Sequence, residues 1–110
     1  MKKRTVYNKL VRDNILEIIA DNHQEFTYHI AVDNEYKMKL LEKLQEEVQE
    51  FIEAKNMEEM SDIFEVIEHI IIAFNFNKKD ILEIKNKKAE TRGKFNKKII
   101  LESVYEKSNK

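Results

Sequence analysis

The chain has 110 residues, no proline and a single glycine, Gly93. Proline and glycine are the residues that most strongly interrupt helices, the first by removing an N–H donor and clashing with the preceding turn, the second by its conformational entropy. A sequence this poor in both is built for long helices joined by short connections. The length suits one domain spanning residues 1–110, and a core of modest size is within its reach.

Charged residues make up 37% and apolar residues 42%. The apolar share is ordinary for a folded domain, so the high charge reads as solvated helix faces rather than disorder. Lys+Arg is 20 against Asp+Glu 21, a net charge of -1, which gives no electrostatic basis for general nucleic-acid binding. Without cysteine, disulfides and thiolate metal sites are excluded. The longest apolar run, IIIAF at residues 70–74, is far too short to span a bilayer. The basic start, MKKRTVYNKLVRD, is followed by no apolar signal core, so a cytoplasmic location is expected.

Periodicity predicts the elements. Residues 13–21 read as a short amphipathic helix with Ile15, Leu16, Ile18 and Ile19. Residues 24–32 (QEFTYHIAV) are rich in aromatic and β-branched types and suit a short extended stretch. Residues 34–54 carry Leu41, Leu44, Val48 and Phe51 at steps of three and four, with Asp33 or Asn34 as cap. Residues 58–74 carry Ile63, Ile67, Ile70 and Phe74 in the same way, and the short connection predicts antiparallel packing of the two helices. A further helix starts at Asn77 or Asp80 and stops near Gly93 as a left-handed terminus, and residues 95–104 suit a last short helix. The expected fold is all-α, a helical-hairpin bundle of four to five helices.

Two acidic motifs flank the short connection, Glu46-Glu47-x-x-Glu50 and Glu59-x-x-Asp62. Residues three apart share one side of a helix, so each pair offers oxygens in one direction. Taking the apolar stripe as zero, Glu47 lies roughly 80° and Glu50 roughly 140° to one side, with Glu59 roughly 75° and Asp62 roughly 135° to the same side on the second helix. Equal offsets of the same hand fall on one face of an antiparallel hairpin, so four carboxylates converge. Unpaired, they repel and raise one another's pKa values, a penalty that a hard divalent cation removes. Oxygen ligands without His or Cys favour Mg²⁺, with Mn²⁺ as the alternative. Glu46 falls opposite the stripe, where it is left to a second metal, a water or a partner subunit. Glu42, Glu53, Glu65 and Glu68 read as surface, and His23, His29 and His69 show no metal-like pairing.

The motifs EEVQE and EEMSD resemble the EExxE…ExxD signature of the MazG-like, all-α NTP pyrophosphohydrolases, a superfamily that includes phosphoribosyl-ATP pyrophosphohydrolases and dimeric dUTPases. YNKLVRDNILEII (residues 7–19), KLQEEVQEF, EEMSDIFEVIEHI and the K-x-x-x-RG-x-F run from Lys88 to Phe95 are similar, in order and spacing, to one house-cleaning subgroup. The resemblance implies Glu47, Glu50, Glu59 and Asp62 as Mg²⁺ ligands. It also implies hydrolysis of a nucleoside triphosphate, non-canonical in the subgroup, to monophosphate and pyrophosphate, in a homodimer or higher homo-oligomer. Mg²⁺ would polarise the α-phosphate and activate a water. Lys9, Arg12, Lys88 and Arg92 are the candidate substrate-binding cations, with Asp13 orienting Arg12 or touching sugar or base. Asn14 and Leu16 depart from the Lys and Pro common in the subgroup, and Lys94 from a frequent second Gly. The competing readings are a non-catalytic nucleotide sensor that keeps the metal site and a helical adaptor.

Overall fold

The computed structural model describes residues 3–108, and those residues are all-α: four helices and no strand. They are α1 (Ile15–Asp21), α2 (Asp33–Ala54), α3 (Met57–Ala73) and α4 (Lys78–Arg92). The chain divides into two compact units, Met1–Phe76 and Asn77–Lys110.

In the first unit α2 packs against α3 through a two-residue connection, Lys55 and Asn56. Lys55 ends α2 in the left-handed region (φ 52, ψ 42), and its N–H donates to the Phe51 carbonyl. That conformation is the usual helix stop, although it more often falls to Gly, which lacks the Cβ penalty. Asn56 comes next in extended backbone and caps α3, its side chain accepting from the Glu59 N–H at 2.9 Å. Stop and start signals one residue apart fold the chain back on itself.

The start of α2 differs from expectation. Its cap position is Val32, with no side-chain cap, and Asp33 lies inside the first turn. There its charge favours the positive helix end, and it pairs with Lys37 at 3.1 Å. Residues 24–32 join no sheet; Phe26 and Tyr28 form a tilted aromatic pair at 6.0 Å.

The buried direction of the hairpin also differs from the apolar stripe. Leu40 is 2% exposed, Val66 8% and Glu47 6%, and these are the buried side chains among the described residues. Leu41 and Val48, both in the predicted stripe, stay exposed, as does Ile67. On the same wheel the buried residues are displaced from the stripe centre toward the acids, Leu40 and Glu47 by roughly 60–80° on α2 and Val66 by roughly 95° on α3. The apolar sector is therefore wider than one neighbouring helix can cover. Its remainder, Leu41, Val48 and Ile52 on α2 and Met60, Phe64 and Ile67 on α3, is exposed. By the wheel it lies on the opposite face of the hairpin from Glu50 and Asp62.

In the second unit, Asn77 caps α4 by accepting from the Lys79 and Asp80 N–H groups. Gly93 ends it at φ 82 and ψ -174, a positive φ that requires glycine but lies outside the left-handed helical basin expected there. A Cβ on Gly93 would meet nothing within 4 Å, so the dihedral angle alone dictates the residue. The last helix expected over residues 95–104 does not form. A turn closes there instead, Lys98 N–H donating to the Phe95 carbonyl at 3.2 Å with Lys98 at φ 57. Beyond the turn, Ile99, Ile100 and Val104 are β-branched and disfavour a helix that has no neighbour to bury them.

A candidate metal centre on the α2–α3 hairpin

Glu47 and Glu50 lie one turn apart near the end of α2, and Glu59 lies in the first turn of α3. The tight connection brings these ends together. One carboxylate oxygen from each of the three lies within 4.8 Å of the others. The side-chain cap from Asn56 to the Glu59 backbone holds the α3 start in place. Residue type, helical spacing and turn chemistry thus combine to set the cluster.

Two oxygens, Glu47 Oε2 and Glu59 Oε2, are buried and have no hydrogen-bond partner. A buried acceptor without a donor is costly, more so when it is charged. Burial pushes the Glu47 pKa up, and the adjacent Glu50 charge adds to the rise. Lys43, which reaches Glu47 at 3.4 Å, opposes both. The chain therefore keeps an acidic group where solvent does little for it, and among the described residues Lys43 is the cation paired with it.

Asp62 stands apart from the expected set of four. Its Oδ1 accepts from Arg12 Nη2 at 2.8 Å. Glu46 does not lie opposite the core as the stripe suggested. The rotated contact face brings it to the acidic side, where it pairs with Lys9 at 3.1 Å and with Lys43 at 3.8 Å. Of the expected cations, Lys9 and Arg12 are thus on this face, each engaged with an acid. Asp13 is exposed in the turn before α1. Lys88 and Arg92 sit on α4, in the second unit.

Sequence reasoning missed Lys43 and Lys39. Lys43 is four residues before Glu47, an i, i+4 ion-pair spacing that a systematic scan of charge pairs would flag. Lys39 donates to the Asn8 carbonyl at 2.9 Å, a contact 31 residues distant in the chain for which no local signal exists.

The arrangement is a set of hard oxygen donors on two helices with unspent acceptor capacity, flanked by lysine and arginine. It suits a divalent cation that prefers oxygen. The chain matches no protein-family model, no curated protein and no solved structure. No described helix is long and apolar enough to cross a membrane.

Proposed function

We propose that this chain is a Mg²⁺-dependent nucleoside triphosphate pyrophosphohydrolase of the MazG-like kind, releasing a nucleoside monophosphate and pyrophosphate. The observation that carries the reading is the buried, partnerless oxygen pair of Glu47 and Glu59 within a three-carboxylate cluster. A buried acceptor pair of this kind is stabilised by a cation, and oxygen-only donors select a hard one, Mg²⁺ or Mn²⁺.

Glu47, Glu50 and Glu59 would hold the ion, with Asp62 one turn beyond Glu59 as the fourth candidate. When bound, such an ion polarises phosphoryl oxygen and lowers the pKa of a coordinated water. The chain's own residues do the rest. Arg12 offers a planar fork for phosphate oxygens and Lys9 a point charge. Arg12 and Lys9 are half exposed, so a ligand reaches them from solvent.

The exposed apolar face of α2 and α3 supports assembly with a second copy, since a hairpin covered on one side only leaves Phe64 64% exposed.

The test is a nucleotide panel, including deoxy and damaged bases, incubated with pure protein and Mg²⁺ while pyrophosphate release is measured. Turnover of at least one nucleotide is expected, together with at least a 100-fold loss in Glu47→Ala (about 2.7 kcal/mol in the barrier). No release from any member sinks the enzyme reading. Thermal stabilisation by nucleotide plus Mg²⁺ without turnover points instead to a nucleotide sensor.

A further inference from the structure

Residues 3–12 form neither helix nor strand, yet they are fastened to the hairpin at three points. Lys39 Nζ donates to the Asn8 carbonyl at 2.9 Å, Lys9 Nζ pairs with Glu46 at 3.1 Å, and Arg12 Nη2 pairs with Asp62 at 2.8 Å. On the wheel, Lys39, Glu46 and Asp62 all lie on the acidic side of the α2–α3 contact. The segment is therefore a strap laid over that face. Its two ion pairs engage acids next to the three-carboxylate cluster in sequence, Glu46 beside Glu47 and Asp62 one turn after Glu59.

We propose that Arg12 is a placeholder cation. Its guanidinium pairs with Asp62 at 2.8 Å. When a divalent cation occupies the cluster, Arg12 leaves Asp62 and turns to the phosphate of the incoming ligand. The inference rests on the metal reading of the cluster and adds the coupling between metal loading and phosphate capture.

The physical grounds are three. A divalent cation held by Glu47, Glu50 and Glu59 would repel the guanidinium paired with Asp62, one helical turn beyond Glu59, and would attract the Asp62 carboxylate with twice the guanidinium's charge. The Arg12 side chain is 57% exposed, and an ion pair that wet is weak, so it exchanges readily. The Arg12 backbone is held independently of its side chain, since its carbonyl accepts from the Ile15 N–H at 3.1 Å at the entry to α1. The side chain can therefore swing while its Cα stays beside the site. Asn8, at φ 48, adopts the left-handed conformation that Asn tolerates better than most residues, and it aims the strap onto Lys39.

The experiment uses the full chain, stripped of metal with a chelator, and Mn²⁺ alone as the first probe. Electron paramagnetic resonance measures Mn²⁺ affinity for the wild type and for Arg12→Gln. Pyrophosphate is then titrated in saturating Mn²⁺, and the side-chain nitrogen resonances of Arg12 are followed with and without Mg²⁺, the diamagnetic counterpart. Arg12→Gln is expected to bind Mn²⁺ more tightly, by up to about fivefold (the size of one exposed ion pair), and pyrophosphate more weakly. The Arg12 guanidinium resonances of the wild type are expected to move on Mg²⁺ addition as the pair with Asp62 opens. Wild-type protein that binds the ion with unchanged Arg12 side-chain resonances overturns the proposal, as does equal or weaker Mn²⁺ binding by Arg12→Gln. Wild-type protein that binds no Mn²⁺ removes the metal reading itself and this inference with it.

Discussion

Glu47 concentrates the chemistry of this protein in one side chain. It is as buried as the apolar Val66, it carries a partnerless oxygen, and its proton affinity is raised by burial and by Glu50. Because the folded-state pKa exceeds the unfolded one, the native state binds more protons between the two values. Stability of the metal-free protein therefore falls as pH rises from the ordinary carboxylate range through the raised native value, and it stays at the lower level above that. Glu47→Gln should remove this dependence. Chelator-treated wild type, melted at a series of pH values, should lose stability from acid toward neutral pH over that window, and the Gln variant should show a flatter profile. On the proposed metal reading, Mg²⁺ or Mn²⁺ should raise the Tm of the wild type and leave that of the variant unchanged. A wild-type profile already flat over the window would mean that Glu47 is not held against its charge. Lys43 belongs to the same account as the cation that offsets Glu47, at 3.4 Å.

At the scale of the element, the Lys55–Asn56 connection decides whether the carboxylates meet. Asn56 caps α3 through the Glu59 N–H, so a change at residue 56 disturbs both a helix start and a candidate ligand. Asn56→Ala should cost about 1 kcal/mol in chemical denaturation, the usual worth of a helix cap. It should also weaken Mn²⁺ binding, because Glu59 loses its fixed starting turn. Asn56→Asp, which keeps a capping oxygen, should retain most of the stability; a loss equal to that of the Ala variant would show that the cap bond is not what matters. The cap was visible in the sequence only as a polar residue before an acidic run. The predicted start of the helix, Glu58, lay one residue inside the observed one. At the far end, Gly93 marked the end of α4, but a stop signal does not specify the conformation of the residues beyond it. The expected helix after Gly93 is absent because Ile99, Ile100 and Val104 gain a helix only where something buries that face.

At the scale of the whole molecule, the apolar sector of the hairpin is too wide for the contact it makes. Leu40 on α2 and Val66 on α3 are buried, while Leu41, Ile52, Phe64 and Ile67 remain at the surface. Association through that face is the expected consequence. Sedimentation of the wild type should give a dimer or larger species. Phe64→Lys together with Ile67→Glu, both on that face and away from the acidic side, should shift it to monomer at micromolar concentration and lower the Tm by several degrees, since about 1.5–3 kcal/mol per side chain is lost from burial. A wild-type monomer with unchanged sedimentation in the double variant would assign the exposed face another role.

Much of this protein was determined by the sequence itself. The absence of proline and the lone glycine favoured helices, the three-and-four spacing located α2 and α3 to within a residue or two, the Asn77 cap and Gly93 bounded α4, and the ExxE and ExxD spacings put carboxylates on a common side. These are local properties, written in the backbone preferences of neighbouring residues. The tertiary structure decided which part of each broad apolar sector turned inward, and so made Glu47 a buried residue rather than a flanking one. It also gave Asp62 a partner in Arg12, 50 residues away, and brought Glu46 to Lys9. Such choices depend on which charges the folded chain brings together, and no periodicity along one helix records where a distant segment will lie.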